Sequence, residues 1–346
     1  MKNKQRNLVI FSLISLIASL LGCGMLHTEN AESIVIDDNN GKYVFDESIK
    51  GITVWAVYWN LDVDEEISKL AGQIDSVSYF EVYFDGKYEL VIPEQLMNYY
   101  KETKSESYNK YISFVNDVKN REDNFSLKDV NMLKKILSDT ELQNKYVDDI
   151  ISIASDSGFD GIEIDFEGIK NDIELWNQYI EFIKNLYGKC GQSKLKLRII
   201  LEPNTPVEKI NFVEGPIYVM MCYNLHGSTT EPGEKANNKF INELIDKMER
   251  VSGTKEFAVA SGGFDWNENG KIVSVDENKA EEFLNKYKAD KKRDSDSGCL
   301  YFEYKDEKNI KHEVWYADKY TLNGWMKVIN ERGYKISLWK LGGNRF

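Results

Sequence analysis

The sequence predicts an α/β protein, a (β/α)8 TIM barrel with a small α+β insertion between its seventh and eighth strands. Three observations predict it. Short β-rich runs, eight in all, lie between residues 51 and 342 and alternate with amphipathic stretches, the pattern of a parallel sheet covered by helices. Eight such units in roughly 290 residues match the size of a barrel. No G-x-G-x-x-G follows the first run, which disfavours an open dinucleotide-binding sheet.

The elements follow in chain order. MKNKQRN carries Lys2, Lys4 and Arg6, and the apolar run LVIFSLISLIASLLG follows it. A basic region before an apolar run shorter than about 20 residues reads as an export signal and not as a membrane span. Residues 24–50 are polar and are expected to form a tether with little core of its own. The first strand is GITVWAVYW (51–59), the second SVSYFEVYF (76–84) and the third YISFVND (111–117). Two helical stretches, 126–139 and 140–158, precede the fourth strand, FDGIEIDFE (159–167). The clearest helix covers 171–189, with Ile173, Trp176, Ile180 and Ile183 at helical spacing. Asn171 is its expected cap, Glu174 completes a capping-box-like pattern, and Gly188 suits its exit. Strands five to seven are KLRIILEP (196–203), PIYVMMCYN (216–224) and EFAVASGG (256–263). An irregular polar stretch, 265–316, is the expected insertion, with a hairpin in CLYFEYKDEKNIKHEVWYAD, and YKISLWKLG (334–342) is the eighth strand.

The fourth strand raises a chemical question. Alternation puts Glu163, Asp165 and Glu167 on one face and Ile162, Ile164 and Phe166 on the other. Neighbouring acids are then roughly 6–7 Å apart along the chain. Catalytic groups of such barrels sit at the C-terminal ends of the strands, and Glu167 is the last acid before the loop. Crowded, buried carboxyls share a proton, and mutual repulsion raises a pKa. That keeps a carboxylic acid protonated near neutrality, ready to act as a general acid.

DGIEIDFE resembles the DxxDxDxE signature of glycoside hydrolase family 18, the chitinase-like barrels, where the signature also ends the fourth strand. The resemblance implies retaining, substrate-assisted hydrolysis, in which the substrate's own N-acetyl oxygen attacks the anomeric carbon. It makes Glu167 the acid/base and Asp165 the residue that orients the acetamido group. Glu163 stands where most chitinases have Asp and is expected to share a proton with Asp165, while Asp160 is expected to be structural. VMMCYN (219–224) is similar to the family's sixth-strand pattern. It places Met221 and Tyr223 inward, with Tyr223 on the substrate acetyl group, Asn224 beside it, and Cys222 outward in packing. SLWKLGG (337–343) resembles the eighth-strand end, where Trp339 would form the floor under the cleaved sugar. Trp55, Tyr58 and Trp59 suit barrel packing or sugar contact, and Tyr58 is the substrate-binding candidate among them. SYFEVYFDGK (78–87) and HEVWYAD (312–318) look nearest to bacterial members acting on peptidoglycan, including spore-cortex hydrolases.

The remaining features bound the partners. Leu20-Leu21-Gly22-Cys23 resembles a bacterial lipobox, which implies cleavage before Cys23, lipidation of its sulfur, and a place on the outer face of the cell membrane. Cleavage would remove three positive charges and move the net charge from −13 to −16. Such an acidic chain is a poor nucleic-acid binder. Cys190, Cys222 and Cys299 are too scattered for a disulfide framework. The histidines, His27, His226 and His312, form no metal-binding spacing, and no GxSxG is present. No metal and no cofactor is expected. The expected partner is an N-acetylglucosamine-containing polysaccharide, foremost peptidoglycan, acted on by a monomer. Chitin oligosaccharides, N-glycan cores and a catalytically silent sugar-binding barrel are the alternatives.

Overall fold

A computed structural model of the chain describes residues 44–120 and 124–346. The expected export signal, Cys23 and most of the expected tether lie outside the described residues. The barrel is closed by eight parallel strands. They are β1 (Ile52–Val57), β2 (Ile74–Asp85), β4 (Asn109–Lys119), β6 (Gly161–Asp165), β7 (Lys196–Leu201), β8 (Ile217–Met221), β9 (Thr254–Ala260) and β15 (Lys335–Trp339). Pairing runs β2-β1-β15-β9-β8-β7-β6-β4, and a β2–β4 ladder closes the ring. Two-residue strands β3 (Leu90–Val91) and β5 (Phe125–Ser126) extend β2 and β4 as short hairpins.

Helices α1 (Asp64–Lys69), α2 (Glu94–Thr103), α3 (Val130–Leu137), α4 (Thr140–Ser157), α5 (Ile173–Ser193), α6 (Asn238–Met248) and α8 (Lys319–Glu331) surround the ring. The return from β7 to β8 carries only a 3-10 turn, Val207–Lys209. The main core lies between the strands' outer faces and the helices, and Cys222 is buried there. A second cluster fills the barrel, with Trp55, Phe80, Met221 and Tyr223 among its members. All three described cysteines are free and buried.

Several boundaries differ from expectation. The last residues of the tether belong to the barrel: Phe45 and Ile49 are buried, and Phe45 packs edge-on against Phe346 at 5.5 Å. Gln73 holds this segment by donating to the carbonyls of Phe45, Asp46 and Ile49. Asp172, not Asn171, caps α5 by accepting from the Leu175 N–H at 3.2 Å. The helix passes through Gly188 to Ser193, because Leu186 and Cys190 stay buried on its inner face. Strand β6 ends at Asp165, so Glu167 lies in the loop beyond it.

The insertion begins slightly earlier than predicted. It is a five-stranded antiparallel sheet in the order β11 (Ile272–Val275), β10 (Gly262–Asn267), β14 (Lys311–Ala317), β13 (Leu300–Lys305), β12 (Lys292–Arg293). Helix α7 (Glu277–Tyr287) packs on it. The predicted hairpin is β13–β14. Gly263 is required where the sheet leaves the barrel, since a Cβ there would fall 1.7 Å from the Trp315 carbonyl oxygen.

Candidate active site

Three acids of one strand meet three different environments. Glu163 is fully buried in the barrel. Its Oε1 accepts from Trp55 Nε1–H at 2.6 Å, from the Ser78 hydroxyl at 2.9 Å, and from the Ser113 hydroxyl. Arg198 Nε lies 3.0 Å from its other oxygen, and Arg198 Nη1 lies 3.0 Å from Glu256. The guanidinium also donates to Thr53 and Ser337, and it sits between the Trp55 and Tyr111 rings. Glu163 thus meets a cation, Arg198, beneath Asp165. The longer Glu side chain reaches that cation and three donors. Sequence reasoning missed this arginine, although one cation in the apolar run LRIIL was the available signal.

Asp165 is buried, and its Oδ1 meets no hydrogen-bond partner among the described residues. Burial raises its pKa well above the usual carboxylate range, and the charges of Glu167 and Glu163 add to the effect. Glu167 stands at the mouth of the barrel. Asn116 clamps its backbone, donating to its carbonyl at 3.0 Å and accepting from its N–H at 2.9 Å. Next to it, the Gly168 N–H donates to Glu202 at 2.7 Å. Burial pushes the Glu167 carboxyl up to about 7, against the lowering effect of Lys128, whose ammonium pairs with it. Lys128 is a second cleft residue that strand patterns did not single out.

Glu167 and Asp165 open into a cleft of about 370 Å³, lined also by Tyr58, Trp59, Glu81, Asp117, Lys128, Met221, Tyr223, Asn224 and Trp339. The structure thus brings together every predicted site residue of the barrel except Glu163, which lies beneath the others. Trp339 ends β15 and is held edge-on by Phe80 at 4.8 Å and Trp55 at 5.7 Å. Tyr223 is buried and Tyr58 half-buried. Asn224 adopts φ 62°, a left-handed conformation that Asn tolerates better than most residues. Among the first-strand aromatics, Trp55 serves packing, while Trp59 is 51 % exposed on the rim.

Other predicted positions lie elsewhere. His226 bonds the Glu231 carbonyl at 3.0 Å and does not line this cleft. Asp160 accepts from the Lys110 N–H at 2.8 Å and braces the strand start. A larger groove of about 600 Å³ runs between loop 228–232 and the insertion sheet. It lacks the paired buried carboxyls, so the smaller cleft is the candidate site. Among the described residues, no group of three or more His, Cys, Asp or Glu side chains is placed to hold a metal ion.

Paired carboxyls of raised pKa under an aromatic floor suit acid-assisted cleavage of a sugar linkage, and comparisons with known proteins point the same way. No protein-family model matches the chain. It is 23% identical over 225 residues to an uncharacterized glycosylase, YvbX, of Bacillus subtilis, a match covering 60% of this chain and 64% of that protein. It is 25% identical over 227 residues to the cortical fragment-lytic enzyme of Bacillus anthracis, covering 60% of this chain and 52% of the relative. These matches span less than two thirds of the relatives' own length. A chitinase from Chromobacterium violaceum superposes with a TM-score of 0.71 at 18% identity, over 85% of this chain and 96% of that one. The spore cortex-lytic enzyme SleL of Bacillus cereus does so with 0.67 at 20% identity, over 85% and 71%. The chain has the barrel of these proteins, and the resemblance to the chitinase-like glycosylases read from its sequence is borne out.

Proposed function

We propose that the protein is a retaining glycoside hydrolase that cleaves the β-1,4 bond beyond an N-acetylglucosamine in cell-wall peptidoglycan. The observation that carries this reading is the pair Asp165 and Glu167. One carboxyl is buried without a partner, the other stands in the cleft mouth with its pKa raised to about 7, and both share that cleft with Trp339 and Tyr223. The relatives named as cortex-lytic support the choice of polymer.

In the first step the acetamido oxygen attacks C1 of its own sugar. The C1–O4 bond breaks, and Glu167 gives its proton to the departing oxygen. Asp165 holds the acetamido N–H, and Tyr223 its oxygen. In the second step Glu167, now ionised, takes a proton from water as the water opens the oxazolinium at C1. Two inversions leave the β configuration. Proton NMR of fresh products tests the mechanism: the β-anomer appears first if it holds, and an initial α-anomer overturns it.

We further propose that Cys23 carries the lipid that keeps the domain beside this polymer. Two or more acyl chains suffice for stable anchoring. Metabolic labelling with a fatty-acid analogue should mark the wild type and not Cys23→Ser.

A further inference from the structure

Two carboxyls in the cleft have no part in the chemistry above, Glu81 and Asp117, and Asp117 already accepts from the Lys128 backbone N–H at 2.7 Å. Glu81 lies on β2, and alternation from Ser78, which faces the barrel interior, would turn residue 81 outward toward the helices. The β2–β4 ladder breaks there: Tyr79 pairs Ile112 and Val82 pairs Phe114, so β2 spends three residues where β4 spends two. This is a β-bulge, and bulges re-aim side chains beside functional sites. Phe80 packs inside the barrel, Val82 packs outside it, and both Phe80 and Glu81 line the cleft. The extra residue has therefore brought Glu81 to the sugar side.

Glu81 is 5 % exposed, and no described residue hydrogen-bonds its carboxyl. The carboxyl therefore faces the cleft without a partner among the described residues, and a polar group that enters can take the place of water there. The charges that act on Glu81 are those of Asp117 from β4 and Glu167 beyond β6, with the Tyr58 hydroxyl beside it; Lys119, also on β4, acts on Tyr58 and lies 5.8 Å from the Phe125 ring. Lys128, in the same cleft, is taken up by Glu167.

We infer that Glu81 is a substrate-binding residue whose carboxyl, turned into the cleft by the bulge, hydrogen-bonds a hydroxyl of the sugar bound over Trp339. The inference rests on the reading of the cleft as a glycan site. A protonated carboxyl carries one donor and an acceptor, which matches a hydroxyl. Burial, with the charges of Asp117 and Glu167, pushes Glu81 up to about 8. The binding form is thus present below that value and lost as pH rises through it. An ionised Glu81 keeps only acceptors and adds charge to an acidic cleft.

The test is calorimetric titration in a Glu167→Gln background, where no turnover intrudes. The probes are a tetrasaccharide of alternating N-acetylglucosamine and N-acetylmuramic acid and the N-acetylglucosamine tetramer. Adding Glu81→Ala should weaken binding about five- to tenfold at pH 6, through loss of the carboxyl's hydrogen bonding to that hydroxyl. Adding Glu81→Gln, which retains a donor and an acceptor, should stay within about threefold of the parent. Between pH 6 and 9 the parent should weaken about tenfold more than the Glu81→Gln protein, because only the parent titrates at this position. Equal affinities for the parent and Glu81→Ala, or equal pH dependence for the parent and Glu81→Gln, would overturn the role of Glu81 alone. Failure of the parent to bind either probe would overturn the glycan reading of the cleft and the inference with it.

Discussion

Glu167 and Lys128 set the pH response of the site. Burial raises the Glu167 carboxyl to about 7, and the Lys128 ammonium opposes that rise. A general acid must be protonated, so kcat/KM should be full below about pH 7 and fall as pH climbs through it. Lys128→Met removes the opposing cation and should move this basic limb to higher pH. A pH–rate profile in which the limb stays in place or moves down would show that Lys128 does not set the acid's pKa. At this scale the sequence was informative about Glu167, Asp165, Tyr223 and Trp339, since each sits in a motif. It was uninformative about Lys128, Glu81 and Asp117, which reach the cleft through a short hairpin, a bulge and a long strand. It did not reveal the Arg198 partner of Glu163, because alternation places a side chain on a face but does not show which cation waits there.

Among the elements, strand order and helix positions were legible wherever periodicity was strong, as in α5 and β8. Boundaries were less so. Asn171 and Asp172 are both good caps by composition, and only the helix geometry selects Asp172. Asp172→Ala should cost about 1 kcal/mol and Asn171→Ala less than about 0.5 in chemical denaturation. The reverse order would place the cap where the sequence suggested. Inside the barrel, Arg198 ties β7 to β6, β9, β1 and β15 through Glu163, Glu256, Thr53 and Ser337. Arg198→Met leaves two buried carboxylates without their cation and should destabilise the fold by about 3–5 kcal/mol. A loss below about 1 kcal/mol would mean that the network does not hold the strands.

For the molecule as a whole, the described packing starts before the first strand. A chain beginning at residue 51 loses the Phe45 and Ile49 that one beginning at residue 44 keeps. Two buried side chains of this size are worth on the order of 3–6 kcal/mol, so the shorter form should unfold at a clearly lower denaturant concentration. Equal midpoints would return residues 44–50 to the tether that their polar neighbours suggested. The insertion sheet was legible as an interruption between strands, but not as five paired strands, because its runs are short and their partners distant in sequence. In the proposed reaction Glu167 drives hydrolysis of an N-acetylglucosamine linkage in peptidoglycan. The most direct test is release of reducing sugar from purified peptidoglycan, with mass analysis of the new ends, for the wild type and Glu167→Gln side by side. New N-acetylglucosamine reducing ends from the wild type alone are the predicted result. Release at equal rates by both proteins, or none by the wild type, would contradict it.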